Sequence, residues 1–217
     1  MSNKAEVIEK IKAGGILPVV RAKTSDEARA VIEAIRAGGI KIFEITMTVP
    51  GAVELIAEFA EDDDLLIGAG TVMDPETSRR CIAAGARFII SPALNFDTIV
   101  YCNETSVVVM PGALTPTEVA NAWEAGADFV KVFPADSMGG ARYLKSLKAP
   151  LPHIRLIPTG GVSQATAADF IRAGAEAIGV GADLVDLKAI REGRPKAITE
   201  AAKRYLEIVR EARAGIS

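Results

Sequence analysis

Eight short apolar runs, spaced along the whole chain and rich in Ile and Val, constrain its fold more than any other feature. They cover residues 15–20, 40–46, 65–71, 87–91, 107–112, 128–133, 154–160 and 177–181. Each is too short for a helix and near-continuously apolar, as strands buried on both faces of a parallel sheet are. Helix-start signals lie between them. Thr24-Ser25-Asp26-Glu27 is a capping-box pattern. Asp74-Pro75 and Thr115-Pro116 pair a cap residue with a proline suited to the first helical turn. Asn95 and Ser163 are further N-cap candidates. Strands alternating with helices imply right-handed βαβ crossovers.

A weak internal repeat sharpens the expectation. AGGIKIFEI, AGARFIIS, AGADFVKVF and AGAEAIGVG each read as a helix end, a glycine suited to a left-handed cap, and a strand. Their leading glycines, Gly38, Gly85, Gly126 and Gly174, stand 47, 41 and 48 residues apart, the length of two βα units. They precede the second, fourth, sixth and eighth runs. The expected fold is therefore an α/β (β/α)8 TIM barrel in one domain over residues 1–217, near the lower end of barrel sizes. A doubly wound open sheet is the runner-up, but no G-x-G-x-x-G follows the first run. Residues 1–13 predict an extra N-terminal helix capping the barrel bottom, and 196–213 a last helix closing the outer ring.

Composition excludes several classes. Apolar residues make up 49% and charged residues 24%, an ordinary globular balance. A net charge of −3 lacks the basic excess of a nucleic-acid binder. No apolar run approaches the ~18 residues of a membrane span, and the N-terminus lacks the apolar segment of a signal peptide. Cys81 and Cys102 form no metal or redox pattern and read as small buried hydrophobes of a reducing compartment, so the cytoplasm is expected. With one histidine, His153, on the expected bottom face, no metal site is anticipated. Trp123 lies on a helix and reads as packing.

Barrel enzymes carry their chemistry at the C-terminal strand ends. Lys131 stands out there, inside the apolar run Phe129-Val130-Lys131-Val132-Phe133, because an ammonium is costly to bury. One reading is a lysine paired with a carboxylate or reaching solvent at a strand edge. The other is a nucleophile, since burial favours the free amine that forms a Schiff base. The run alone leaves both open. Glu44, in Ile42-Phe43-Glu44-Ile45, has the same oddity, and the two together suit either an ion pair or a nucleophile beside its general base. Thr159-Gly160-Gly161 after the seventh strand and Gly179-Val180-Gly181 in the eighth hold the usual phosphate position of such barrels, where glycine lets backbone N–H groups approach an anion.

These residues sit in stretches that match a known family in order and over nearly the whole length: PVVRA (18–22), FEITMTVPGA (43–52), IGAGTV (67–72), FIISPAL (88–94), MPGALTPTE (110–118), VKVFPAD (130–136), PTGGV (158–162) and GVGADLV (179–185). The chain resembles the 2-keto-3-deoxy-6-phosphogluconate (KDPG) aldolases, which include 4-hydroxy-2-oxoglutarate (KHG) aldolases. The resemblance implies that Lys131 is the Schiff-base lysine and Glu44 the general acid/base. It implies that Thr71 holds the substrate carboxylate, that Pro92 and Phe133 line the pyruvate end, and that Gly160 and Gly161 cradle the phosphate, with Gly181 beside them. Two departures stand out. Thr48 occupies a position where some members carry arginine, so Arg21 is expected to supply the guanidinium. Ala182, followed by Asp183, replaces a serine that many members use toward the phosphate, which makes a KHG-type substrate more plausible.

The expectation is a class I aldolase that cleaves KDPG to pyruvate and glyceraldehyde 3-phosphate without cofactor or metal. KHG cleavage to pyruvate and glyoxylate is the alternative. A phosphate-binding barrel isomerase and a non-catalytic binding module are further rivals, neither of which needs a covalent lysine. The expected partner is a small 2-keto acid, with no nucleic acid and no membrane. The resemblance implies a homotrimer, and the helix face bearing Val53, Ile56 and Ala57 is a candidate for either core or contact.

Overall fold

The structure is a computed structural model that describes residues 3–215; Met1, Ser2, Ile216 and Ser217, which belong to the expected 1–217 domain and N-terminal helix pattern, lie outside the described residues. The strands are β1 Ile16–Val20, β2 Ile42–Thr46, β3 Leu66–Gly70, β4 Phe88–Ile90, β5 Val108–Met110, β6 Gly112–Ala113, β7 Val130–Val132, β8 Leu156–Pro158 and β9 Ile178–Val180. The helices are α1 Lys4–Gly14, α2 Ser25–Ala37, α3 Ala52–Ala60, α4 Pro75–Ala83, α5 Phe96–Glu104, α6 Pro116–Glu124, α7 Ala141–Lys148, α8 Ala167–Arg172, α9 Leu187–Arg191 and α10 Pro195–Ala214. Every apolar run of the sequence contains a strand, and α2 to α8 lie between them.

The strands form a curled, parallel α/β sheet. Six pair in the order β5-β4-β3-β2-β1-β9 and three in the order β6-β7-β8. The fifth run, expected as one strand, is divided at Pro111. Proline has no N–H to donate to a ladder, while its carbonyl accepts from the Lys131 N–H at 2.9 Å. The chain thus stops pairing with β4 and starts pairing with β7 at that residue. The Asp128 N–H donates to the Val109 carbonyl across the same seam, at 3.0 Å. On the other side, a parallel bridge joins Thr159 to Gly179.

Side chains alternate across each strand, and the core is correspondingly double. One cluster packs strands against helices through residues such as Val20, Phe43, Ile45, Ile67, Val130 and Val132. The other lies on the opposite strand faces and includes Leu17, Ile42, Leu66, Phe88, Phe129 and Ile157. Val7 and Ile11 of α1 pack into this second cluster. The Lys4 ammonium meets the Asp128 carboxylate at 2.9 Å, and that carboxylate also accepts from the Val109 N–H at 2.9 Å.

Two local expectations need correction, and a third is resolved. The first repeat places its left-handed glycine one residue later than expected. Gly38 has φ −84°, and Gly39 takes φ +100°. Gly38 is needed for packing instead, since a Cβ there would lie 2.5 Å from the Ala202 Cβ of α10. Ser163 does not cap α8. The helix begins after Thr166, whose hydroxyl accepts from the Ser163 N–H. At the third helix, Ile56 is core, whereas Ala57 is exposed and Val53 half-buried.

Candidate active site

The period of two along the strands explains where Glu44 and Lys131 point. Glu44 is two residues beyond Ile42, and Lys131 two beyond Phe129, so both face the same side as the inner cluster, one layer nearer the strand ends. They are 2% and 6% exposed. Lys131 Nζ lies 3.5 Å from Glu44 Oε1 and 5.4 Å from the centroid of the Phe133 ring. A tight charge-assisted bond is roughly 2.7–2.9 Å long. The amine is therefore held beside the carboxylate without being locked onto it.

Room for the carboxylate comes from β3. Its residues on the same face are Leu66, Gly68 and Gly70. A Cβ at Gly68 would meet the Phe88 ring at 2.1 Å, and one at Gly70 would meet Glu44 Oε1 at 2.0 Å. Gly70 is thus part of the site, although nothing in the reading of motifs singled it out. Two glycines at alternate positions of one strand were the available signal, because glycine inside a strand marks close approach.

Thr71 follows directly, with φ +59°. That backbone conformation costs a non-glycine residue about 1–3 kcal/mol and tends to occur at functional sites. The neighbouring ladder imposes it. The Met47 N–H is bonded to the Gly70 carbonyl at 2.8 Å, and the Val72 N–H to the Ile90 carbonyl at 3.1 Å. No sequence signal betrays this strain.

A cavity of ≈ 810 Å³ opens at the same strand ends, and Arg21, Phe133, Gly160, Gly161 and Gly181 line it. Phe133 connects it to Lys131. Thr71 and Pro92 do not line this cavity. They follow β3 and β4 on the far side of Glu44, and the Pro92 carbonyl abuts Gly112, where a Cβ would come within 2.3 Å of it. The cavity's glycine end is an anion-compatible loop. Gly160 and Gly161 have φ +96° and +68°, and the parallel bridge between Thr159 and Gly179 turns the Gly160 N–H toward the Gly179 carbonyl. Backbone N–H groups in a glycine turn of this kind form a concave site for an anion. His153 is exposed and stacks edge-on against Trp123, with ring centroids 6.2 Å apart. Among the described residues, no group of three His, Cys, Asp or Glu side chains is arranged to hold a metal ion, and no helix is long and apolar enough to cross a membrane.

Fold and site together define a class: an α/β enzyme with a buried amine and a buried carboxylate at the C-terminal ends of parallel strands. The comparisons narrow it. The family model for KDPG and KHG aldolase matches residues 7–201. A 2-dehydro-3-deoxy-phosphogluconate aldolase of Treponema pallidum (strain Nichols) is 31% identical over 205 residues, which is 94% of this chain and 96% of that protein. A KDPG aldolase of Legionella pneumophila, crystallised with pyruvate captured as a covalent carbinolamine, superposes with a TM-score of 0.83 at 29% identity, covering 93% of this chain and 97% of the other. A protein cage designed by fusing symmetric oligomeric domains contains a similar fold, with a TM-score of 0.82 and 30% identity over 93% of this chain and 74% of that one. The chain belongs to the KDPG and KHG aldolase family and is a carbon–carbon lyase.

Proposed function

We propose that the chain is a class I aldolase that cleaves KDPG to pyruvate and glyceraldehyde 3-phosphate, and that its strands close into a single (β/α)8 barrel. The bridge from β8 to β9 and the hydrogen bonds across Pro111 support closure. The observation that carries the function is the buried Lys131–Glu44 pair at 3.5 Å.

In this reading Lys131 Nζ attacks the C2 carbonyl of the keto acid. Water leaves the carbinolamine, and an iminium forms. Glu44 takes the proton of the C4 hydroxyl, directly or through water. The C3–C4 bond then breaks, and its electron pair moves into the iminium to give an enamine. The aldehyde departs, C3 is protonated, and hydrolysis releases pyruvate and the free lysine. The Arg21 guanidinium and the Thr71 backbone and hydroxyl receive the substrate carboxylate, for which a planar fork of donors is well matched. Phe133 and Pro92 wall the pyruvate end. The glycine turn at Gly160 and Gly161, with Gly181 beside it, receives the terminal phosphate. KHG is the second substrate of this reading, supported by Ala182, which offers no hydroxyl at the phosphate end.

The test is direct. Purified protein supplied with KDPG should release pyruvate and glyceraldehyde 3-phosphate in equal amounts, measured by coupled oxidation of NADH. Release of neither product from KDPG or KHG would reject the proposal.

We further propose a cytoplasmic homotrimer. Two buried, unpaired cysteines, Cys81 and Cys102, suit a reducing compartment. The family resemblance implies the trimer, and an apolar face gives it a place to form. Met73, Phe96 and Val100 are 47%, 51% and 51% exposed. Asn95 Nδ2 donates to the Met73 carbonyl at 3.3 Å and so ties the loop that carries Met73 to the start of α5, which carries Phe96 and Val100. Single exposed apolar residues are unremarkable, but a contiguous set marks an interface. A Phe96→Asp/Val100→Asp double substitution should convert the trimer to monomer in light scattering coupled to gel filtration. An unchanged mass would move the interface elsewhere.

A further inference from the structure

We propose that Asp183 sets the choice of aldehyde tail. Its carboxylate weakens the hold on a terminal phosphate and accepts hydrogen bonds from hydroxyl groups, so that the cavity also takes the unphosphorylated 2-keto-3-deoxy sugar acids. This rests on the aldolase reading above and adds a substrate class to it.

Asp183 lines the same cavity as Gly160, Gly161, Gly181 and Ala182. It is fixed there by two donors on the same oxygen. The Tyr205 hydroxyl donates to Oδ2 at 2.5 Å, and the Gln164 N–H at 3.2 Å. Gln164 is three residues beyond Gly161, so the second bond ties the carboxylate to the loop that carries the anion nest. Tyr205 lies in α10 and is fully buried. Burial, reinforced by Asp183 itself, pushes its phenol well above the ordinary range, so it stays a neutral donor. The bond thus leaves the negative charge on Asp183. No lysine or arginine among the described residues pairs with that charge, and its Oδ1 accepts no bond from them. A charged acceptor therefore faces the cavity.

The adjacent strand end is different, since β1 pairs with β9 in parallel. Arg21 and Lys23 line the cavity from the β1–α2 connection. With Arg21 engaged by the substrate carboxylate, a phosphate dianion at the glycine loop meets the attraction of Lys23 and the repulsion of Asp183 at once. A second carboxylate backs the loop from outside the cavity. A Cβ at Gly161 would lie 2.3 Å from the Asp136 Cβ. Like charges within a few ångströms disfavour the anion, whereas a carboxylate is a strong acceptor for a sugar hydroxyl. Ala182 adds nothing to either side. The balance leaves KDPG a substrate and removes much of the advantage its phosphate would otherwise give.

The experiment compares Asp183→Asn with the parent enzyme on KDPG and on 2-keto-3-deoxygluconate. Asparagine keeps an oxygen for Tyr205 and Gln164 and removes the charge. The ratio of kcat/KM for the phosphorylated over the unphosphorylated acid should rise about tenfold. The rise should appear in the KM for KDPG and shrink at 0.5 M salt, as a screened charge effect does. Asp183→Ser is the second variant, with the same expected rise. An unchanged ratio in both variants overturns the role of Asp183. A parent enzyme that cleaves neither acid overturns the underlying aldolase reading, a separate and recognisable failure.

Discussion

Lys131→Met abolishes borohydride trapping of pyruvate by this protein and lowers KDPG cleavage on the order of 10⁴-fold or more, the scale on which loss of a covalent nucleophile acts. Methionine matches the lysine stem in length, so the strand keeps its packing. The charge balance does not survive. Glu44, 2% exposed, loses the ammonium at 3.5 Å, and breaking a buried pair from one side costs about 3–5 kcal/mol. The variant should therefore melt at a lower temperature, and a drop in activity alone would not separate chemistry from folding. A Lys131→Met/Glu44→Gln double variant separates them. It removes both charges, so thermal stability should return toward the parent while activity stays lost. Cleavage that survives in either variant, or an adduct that maps to a different lysine, removes Lys131 from the mechanism and reopens the structural ion pair. Peptide mapping of the reduced adduct is the deciding measurement.

What the sequence made legible, and what it hid, divides along physical lines. Burial on both faces leaves a long, local signature, so the eight apolar runs fall on the strands. Capping is also local. The Thr115-Pro116-Thr117-Glu118 pattern becomes a complete capping box at α6. Lys131 and Glu44 were visible because a charge inside an apolar run is a contradiction that the chain itself displays. Long-range properties were not visible. Pro111 divides the fifth strand because its neighbours on the two sides belong to different ladders. Gly38 is a glycine because α10, more than 160 residues away in sequence, presses on it through Ala202. The strain at Thr71 comes from the ladders on either side of it. Asp183 was noticed only as the residue after Ala182, and its importance depends on Tyr205 and Gln164, which no spacing rule links to it. The helix face of Val53, Ile56 and Ala57 gave an ambiguous contact candidate because periodicity cannot tell which apolar stripe remains outside. Phe96 and Val100, one turn apart on α5, are the pair left exposed.

The second large effect follows from the glycine that motif reading passed over. Gly70→Ala removes neither the nucleophile nor any titratable group, yet should lower kcat by about 10²–10⁴-fold, the usual worth of a positioned general acid/base. The added Cβ would fall 2.0 Å from Glu44 Oε1, 2.5 Å from its Cγ and 2.6 Å from its Cδ. The neighbour that must yield is therefore most of the carboxylate-bearing side chain, and overpacking of this kind costs about 1–3 kcal/mol. Glu44 has little freedom to yield while keeping its place. Its strand partner at this level is Gly68, against which the Phe88 ring packs, so the side chain has to swing away from Lys131 and from the C4 hydroxyl of the substrate. The consequence is selective. Schiff-base formation with pyruvate uses the amine of Lys131 and should persist, so borohydride still traps an adduct. Carbon–carbon cleavage needs the carboxylate and should fail. Single-turnover measurement of adduct formation alongside steady-state cleavage distinguishes this outcome from general damage, which would depress both. A folded Gly70→Ala enzyme with the parent cleavage rate would show that Glu44 does not need its observed position, and the proton transfer assigned to it would have to come from another group.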